Sequence, residues 1–475
     1  MIAAILIPIL SGLLVPLFPK GQARLRNIFA AVAASLPVAF IGTMMPGVLS
    51  QPSAVSLWEL PMFRSISIVL LGDGLSVFVA FASSLVGALV VIYSIDYVRD
   101  YPHQNEFFSL VLIFQGSMMG LVFSGNLVIM YIFWELTAIC SWRLIGFHRR
   151  EEKPIANANK ALLVTVFGSA CMLLGFKLIF HELNTLNLLE LRGHEPSAWP
   201  LFLVLLGLLA KSAQFPLQTW LPDAGVAPTP VTALLDAAAL VKIGVFAFAR
   251  IFLGTFTMPR SSTEFIIILA ALSGFIAATS AVVENDIKRI LAYSTISQIA
   301  YIVLGLAIGT PLAVTGALFY ILVHGLGKAG LLLGAGNVEH YAHEKDIRKL
   351  GGMRKVMPLT SFGFFMNALS IMGIPPFGGF FAKLLIILAA IQTGNYFVAG
   401  LIVVTAILTL VYLLRLWTKV FNGPVTHPGN AETRKLMPVV VIVFAVLSLL
   451  SFLVLLGPLN LVGRAVAATQ LIGLR

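Results

Sequence analysis

The chain has 475 residues, of which 59% are hydrophobic and only 11% are charged, and its mean hydropathy is +0.97. This composition leaves too little polar surface for a soluble globular protein and predicts an integral membrane protein. The net charge of +11 does not indicate a partner nucleic acid, because the basic residues follow the sides of the predicted membrane segments.

Long apolar windows follow one another along most of the chain. A membrane-spanning helix needs about 20 mostly apolar residues. Fourteen windows meet this requirement, at 1–19, 26–47, 66–97, 107–124, 126–147, 157–181, 199–220, 230–253, 264–283, 289–309, 312–336, 358–393, 395–421 and 437–457. We number them spans 1 to 14 and expect the first to be a retained helix, since no basic residue precedes it. The sequence therefore predicts an all-α, polytopic membrane protein embedded in the lipid bilayer.

Lysine and arginine residues are distributed unequally between the two predicted sides of the membrane. The connections after spans 1, 3, 5, 9, 11 and 13 contain Lys20, Arg24, Arg26, Arg99, Arg149, Arg150, Lys153, Lys288, Arg289, Lys345, Arg348, Lys349, Arg354, Lys355, Arg434 and Lys435. The opposite connections contain only Arg64, Arg192 and Arg260, and the connection 221–229 has neither residue type. The positive-inside rule predicts that the first set is cytoplasmic. We therefore expect a multi-pass protein of the plasma membrane with both termini outside.

Cofactor motifs are missing from the sequence. Cys140 and Cys171 lie inside predicted spans and form neither a disulfide framework nor a CxxC metal site. The clusters of Cys or His that haem and iron–sulfur groups require are also missing. Residues 325–330, GLGKAG, match GxGxxG, but this motif binds nucleotides only between a strand and a helix. We expect no cofactor and no metal, and we attribute these glycines to close helix packing.

Several spans contain an ionisable residue near the centre, where a bilayer disfavours it. The clearest are Glu135, Lys211, Asp236, Lys242, His324 and Lys328. Such residues usually mark a proton or ion pathway and pair across helices. A nearby carboxylate stabilises the protonated form of a buried lysine, so movement of the carboxylate changes the affinity of the lysine for protons. The pattern therefore predicts a protein that conducts charge.

Two spans are interrupted by proline and glycine. Span 7 runs into KSAQFPLQTWLPDAGVAPTP at 211–230, and span 12 is broken at GIPPFGGFFAK, 373–383. Broken helices at membrane depth are tolerated where they are buried or line a cavity. Because the breaks are five spans apart, we expect two inverted five-helix repeats, inferred from spacing alone. The predicted units are 1–104 (spans 1–3), 105–253 (spans 4–8), 254–421 (spans 9–13) and 422–475 (span 14 and tail).

Three long segments resemble a known family. They are NEFFSLVLIFQGSMMGLVFSGNLVIMYIFWELTAICSWRLIGF (105–147), KSAQFPLQTWLPDAGVAPTPVTALLDAAALVKIGVF (211–246) and ENDIKRILAYSTISQIAYIVLGL (284–306). They are similar to the antiporter-like subunits of respiratory complex I, with the L-type nearest. The A-type subunits of Mrp sodium/proton antiporters and subunits of energy-converting hydrogenases are similar as well. The resemblance runs from about residue 65 to 420 and is specific for the superfamily, not for one complex.

The resemblance implies roles for individual residues. Glu135 and Lys211 match a glutamate–lysine pair that changes partners as protons move. Lys242 matches a bridging lysine of the family. His324 matches a histidine, and Lys328 matches the lysine one turn after it. Lys383 matches a residue at the exit half-channel. Asp236 departs from the L-type pattern, which has histidine there. Its role is left open between a proton-axis residue and a sodium ligand.

The sequence leaves three functions open. The first is a proton-translocating channel subunit of a redox-driven complex, of the NADH:quinone oxidoreductase or hydrogenase type. The alternative is a Mrp-type sodium/proton antiporter subunit, and the third is a structural scaffold. In each case we expect other membrane subunits as partners, and in the first two the transported ion is the proton or sodium.

Each assignment also has a structural alternative. Glu135 could pack with Arg143, and His324 could be a hydrogen-bonded core histidine. An aspartate six residues before Lys242 lies on a different helix face, so we expect Asp236 to face His324 or Lys328, or to bind a cation. Residues nearer helix ends are expected to extend to the membrane interface, namely Lys177, Arg250, Arg415 and Lys419. The run 343–355 is expected to be a solvated cytoplasmic loop.

The charge asymmetry gives a direct test of topology. We expect a reporter fused near Lys349 to be cytoplasmic and one fused near Arg192 to be external, because the basic connections are retained inside. The paired activities of alkaline phosphatase and green fluorescent protein fusions measure this. The reverse pattern at either site would contradict the arrangement of spans.

Overall fold

The computed structural model describes residues 1–50, 55–63, 66–429, 432–456 and 460–468, so Arg64 lies outside the described residues. Helices α1 to α10 are Ile2–Leu14, Ala23–Leu49, Gly74–Tyr97, Gln104–Val122, Leu127–Ile145, Glu152–Leu183, Ala198–Lys211, Trp220–Asp223, Thr229–Ala233 and Leu240–Phe248. Helices α11 to α20 are Arg260–Val283, Ile287–Ile308, Pro311–Ala342, Met353–Val356, Pro358–Met372, Gly378–Gln392, Tyr396–Phe421, Leu436–Leu450, Leu453–Leu456 and Leu461–Ala468. Two antiparallel strands, β1 (Val55–Phe63) and β2 (Ile66–Gly72), precede α3.

The prediction of a helical, multi-span membrane protein is confirmed. Within the described residues, eleven segments are long and apolar enough to cross a membrane, with Thr229–Leu253 and Leu436–Leu456 each taken as one segment. Four shorter apolar helices are Ile2–Leu17, Ala198–Lys211, Pro358–Met372 and Gly378–Gln392. They lie where spans 1, 7 and 12 were expected. The total of fourteen crossings, the inverted repeat and the four units stay predictions.

Span 3 was wrong at its beginning. Residues 66–72 form β2 instead of helix because this segment pairs with β1 and also with the chain after α4. The Leu71 amide donates to the Phe123 carbonyl and the Gly125 amide donates to the Val69 carbonyl, each at 2.7 Å. Asp73 then caps α3, its side chain accepting a hydrogen bond from the Ser76 amide at 2.9 Å.

The two predicted interruptions are present. Helix α7 stops at Lys211, and a non-helical stretch separates it from the short α8. In this stretch the side-chain amide of Gln214 donates to the carbonyls of Ser212 at 3.0 Å and Ile296 at 3.3 Å. Span 12 consists of two half-helices, α15 and α16, and Gly373 at the break has φ +82°. Only a residue without Cβ adopts this conformation readily.

The most buried part of the protein contains the irregular span 8. Here α9 and α10 are each followed by a π-helical turn, at Leu234–Ala238 and Ala249–Leu253, which the sequence reasoning did not predict. The segment Thr229–Leu253 is wholly buried, and so is the central part of α13, whereas the apolar windows of α2 and α17 are only about one third to two fifths buried. The first two therefore form the core, and the others belong to the periphery.

The position of Arg250 differs from the prediction, which placed this residue at the membrane interface. It is only 4% exposed, and its guanidinium binds Asp73 through two contacts of 2.5 and 2.7 Å. It also donates to the Ser76 hydroxyl at 2.7 Å. Such bidentate pairing satisfies a charge that apolar surroundings would otherwise disfavour. The pair fixes the second π-turn of span 8 to the beginning of α3.

We expect Arg250→Ala to destabilise the protein by about 3–5 kcal/mol, because Asp73 would remain buried without a partner. The free energy of unfolding in detergent measures this. The matched control is Arg260→Ala, which removes an exposed pair with Glu264 whose side chains are 85% and 56% exposed. Equal effects of the two substitutions would show that the buried pair does not anchor span 8.

Candidate ion pathway

Lys211 and Glu135 lie next to each other without direct contact. Lys211 is fully buried, and its Nζ donates to the Trp134 carbonyl at 3.2 Å and lies 5.2 Å from the centre of the Trp134 ring. The carboxylate of Glu135 interacts with this lysine electrostatically, but its Oε1 has no hydrogen-bond partner among the described residues. The alternative contact with Arg143 is wrong, since Arg143 binds Glu106 at 2.7 Å. The Glu135 carboxylate is therefore not held by either cation.

Asp236 lies in the first π-turn of span 8 and is 1% exposed. Its Oδ2 accepts a hydrogen bond from the Thr295 hydroxyl of α12 at 3.3 Å. Lys328 of α13 interacts with it electrostatically, although the Lys328 Nζ has no hydrogen-bond partner in the described part of the chain. The structure thus places Asp236 toward Lys328, one of the two partners expected.

Lys242 is fully buried and donates to the carbonyl of Ala237, within the same π-turn. It forms no direct ion pair with Asp236. A Cβ added at Gly325 of α13 would collide with the Lys242 Nζ, so the absence of a side chain there makes room for the ammonium group. The close approach of Lys242 therefore explains why Gly325, one of the glycines of the GLGKAG segment, has no side chain.

His324 and Lys383 both lie near the ring of Tyr320. Within the described ranges, both ring nitrogens of the fully buried His324 lack a hydrogen-bond partner, and its ring centre is 6.1 Å from that of Tyr320. A hydrogen-bonded core histidine therefore does not describe this residue. Lys383 donates to the Ile371 carbonyl at 2.7 Å and lies over the rings of Tyr301 and Tyr320, at 5.3 and 5.9 Å.

Sequence reasoning missed the polar residues that lie between these charges. Gln298 accepts a hydrogen bond from the Tyr320 hydroxyl and donates to Thr409 at 3.2 Å. On the same helix, Ser294 accepts from the Tyr412 hydroxyl at 2.9 Å. With Thr295, which binds Asp236, these residues make a polar band across α12. The available signal was STISQ at 294–298, where the polar positions 294, 295 and 298 share one helix face.

The family described as NADH:quinone oxidoreductase/Mrp antiporter, transmembrane, matches residues 124–409, which is more than half of the chain. The chain belongs to this family. Residues 62–108 also match the N-terminus of chain 5 of NADH-ubiquinone oxidoreductase (complex I). The resemblance inferred from the sequence is thereby confirmed.

Curated relatives and solved structures agree with this assignment. The chain is 35% identical over 399 residues to the A-type subunit of the Na(+)/H(+) antiporter of Alkalihalophilus pseudofirmus, covering 78% of this chain and 49% of the relative. It is 38% identical over 327 residues to the A1-type subunit of the Na(+)/H(+) antiporter of Staphylococcus haemolyticus, covering 65% and 41%. The chain therefore spans about half the length of the curated relatives it matches, or less.

Two structures of membrane complexes contain a similar chain. One is the Mrp complex from Dietzia sp., with a TM-score of 0.88, 25% identity, and 98% of this chain and 96% of that chain covered. The other is the membrane-bound sulfane sulfur reductase, an archaeal respiratory membrane complex, with a TM-score of 0.86, 26% identity, and 98% and 97% covered. The family's fold therefore extends over almost the whole chain.

We expect Lys211→Ala and Glu135→Gln each to abolish ion translocation while the assembled complex remains. The first removes the buried cation and the second removes the negative charge that stabilises it. Ion-driven proton movement in membrane vesicles measures the effect. Lys177→Ala, which removes an exposed lysine on α6, is the matched control. Normal transport in either test variant would exclude the pair from the mechanism.

Proposed function

We propose that the chain is the ion-conducting, antiporter-like subunit of a multisubunit complex in the plasma membrane, of the Mrp sodium/proton type. The curated relatives named above are A-type subunits of Na(+)/H(+) antiporters. This favours the antiporter alternative over the redox-driven channel that the sequence analysis put first. The partners are then the bilayer and other membrane subunits, and both termini lie outside.

The observation that carries the proposal is the carboxylate at position 236 in the middle of the buried charges. Asp236 is held by Thr295 and is not joined to Lys328 by a direct ion pair. A carboxylate accepts either a proton or a hard cation, which prefers oxygen ligands. The histidine implied by the L-type resemblance suits protons but not sodium. This site is therefore able to exchange one ion for the other.

The seven predicted residues act in series in this proposal. Glu135 stabilises the charge on Lys211, and withdrawal of the carboxylate releases the lysine's proton toward span 8. Lys242, Asp236, His324 and Lys328 pass charge between spans 8 and 11, and Lys383 releases it. The broken segments after α7 and between α15 and α16 are counterparts in two inverted repeats, 105–253 and 254–421. Direction and driving force come from the ion gradients and the partner subunits.

A second candidate is a proton channel subunit of a redox-driven complex. The specific observation in its favour is the similarity to a chain of the sulfane sulfur reductase over 98% of this chain. The two candidates differ in what starts transport. Everted vesicles containing the complete complex should move protons when sodium is added without an electron donor. Proton movement that needs an electron donor would favour the redox-driven complex.

Substitutions of Asp236 separate its two possible roles. If it carries protons, Asp236→Asn should reduce transport both with and without sodium, and Asp236→His should keep part of the activity. If it binds sodium, Asp236→Asn should raise the sodium concentration needed for half-maximal rate. Initial rates in everted vesicles over a sodium series measure both. Unaltered kinetics of Asp236→Asn would show that the residue is structural.

A further inference from the structure

A second group of charges lies at the end of span 11 that faces the basic connections. Glu339 of α13 binds the Nζ of Lys288 at 2.7 Å and that of Lys345 at 2.9 Å. The Thr229 hydroxyl donates to the same carboxylate at 2.8 Å. The exposure of these side chains increases in one direction, from 1% for Lys288 through 17% for Glu339 to 35% for Lys345. Glu339 therefore lies at the boundary between the core and the surface.

Gly336 explains why Glu339 meets Thr229. A Cβ at Gly336 would lie 2.5 Å from the Thr229 Cγ2 and 2.9 Å from the Tyr93 hydroxyl oxygen, so α13 approaches α9 closely only without a side chain here. One turn later along α13, Glu339 is level with the beginning of α9. Close approach through a small residue is a usual device of membrane helices.

Lys345, the more exposed of the two lysines that bind Glu339, also lines a cavity. The cavity has a volume of about 190 Å³, and Asp223, Asp286, Arg289 and Lys345 are among its lining residues. Burial lowers the pKa of Lys345, but the carboxylate of Glu339 and the hydrogen bond to it outweigh this effect and raise the pKa above its ordinary value. Lys345 therefore remains charged and lies between the cavity and Glu339.

The core side of this carboxylate continues into a polar stripe on span 8. Thr229, Thr232 and Asp236 occupy positions i, i+3 and i+7, which place them along one face over about 10 Å. Thr232 is 2% exposed, and its hydroxyl has no hydrogen-bond partner among the residues that the structure describes. A buried hydroxyl without a partner costs stability and requires an explanation. The stripe leads from Glu339 to the carboxylate of Asp236.

We propose that Glu339, held between Lys288 and Lys345, is the gate through which protons reach Asp236, by way of the hydroxyls of Thr229 and Thr232. This inference rests on the proposed function and adds a site to it. Lys288 is buried and stays bound, whereas Lys345 is exposed enough to leave for solvent. Its departure frees the Glu339 Oε1 toward the cavity. That oxygen then accepts a proton from hydronium in the cavity water, and the protonated carboxyl donates to the Thr229 hydroxyl. Each hydroxyl of the stripe gives its own proton to the next group as it accepts one, and Asp236 receives the last.

The decisive variant is Thr232→Val, because it keeps the shape of the side chain and removes a hydroxyl that bonds to nothing in the described part of the fold. We expect the initial rate of sodium-driven proton movement in everted vesicles with the complete complex to fall by roughly tenfold or more. Thr232→Ser keeps the hydroxyl and should keep the rate. Ser361→Ala removes an equally buried, unpartnered hydroxyl on α15 and should leave the rate unchanged. Native gels report assembly of each variant.

A second pair of variants tests the gate itself. Glu339→Gln should slow transport as strongly as Thr232→Val, whereas Glu344→Gln, at a partly exposed carboxylate that binds Lys349, should not. If the complex with Glu339→Gln does not assemble, the transport rate of Thr232→Val alone decides whether the proposed gate is correct. Wild-type rates for Thr232→Val, or for an assembled Glu339→Gln complex, would overturn the gate and leave the proposed function standing. A wild-type complex without sodium-driven proton movement would instead overturn the proposed function and the gate with it.

Discussion

The cost of placing a lysine ammonium group in an apolar interior is the constraint on which this structure depends. Lys211, Lys242, Lys328 and Lys383 are buried, and none has a carboxylate of the described residues in direct contact. Three of them donate to backbone carbonyls instead, and two of these carbonyls lie at helix irregularities. Ile371 is in the last turn of α15, where carbonyls have no partner within the helix, and Ala237 is in a π-turn. The interruptions of spans 8 and 12 thus provide free carbonyl acceptors for the lysines, whereas in a regular helix these carbonyls are bonded to backbone amides.

The carboxylates of the pathway differ from those that hold the fold together. Glu135 and Asp236 influence a lysine electrostatically without touching it, so a small displacement changes which cation is stabilised. Asp73 is bound by Arg250 through two short contacts and also caps α3. The first arrangement permits a change of partners, and the second resists one. Burial alone does not separate the two classes, whereas contact geometry does.

The sequence predicted the features that hydropathy and proline determine, and missed those that depend on tertiary pairing. The membrane helices and both interruptions followed from apolar length and from Pro/Gly content. Residues 66–72 are as apolar as a membrane-spanning helix. They form a strand because the backbone of β1 and that of the chain after α4 pair with them. Arg250 was assigned to the interface by its position near a helix end, since its partner Asp73 is 177 residues away in sequence. Glu339 was overlooked because it lies beyond the end of the apolar window of span 11. For Asp236, the helix face on which it lies was the only basis in the sequence for placing it toward α13.

The central claim is that the buried charges of the pathway, unlike the Arg250–Asp73 pair, serve transport and not stability. The most direct measurement is the sodium-driven proton flux of the double variant Asp236→Asn/Lys328→Met, in vesicles containing the complete complex. Because both charges are removed together and the side-chain shapes are nearly kept, neither is left unpaired, and assembly should be at least as good as in the wild type. We predict an assembled complex without flux. Flux at the wild-type rate would contradict the claim.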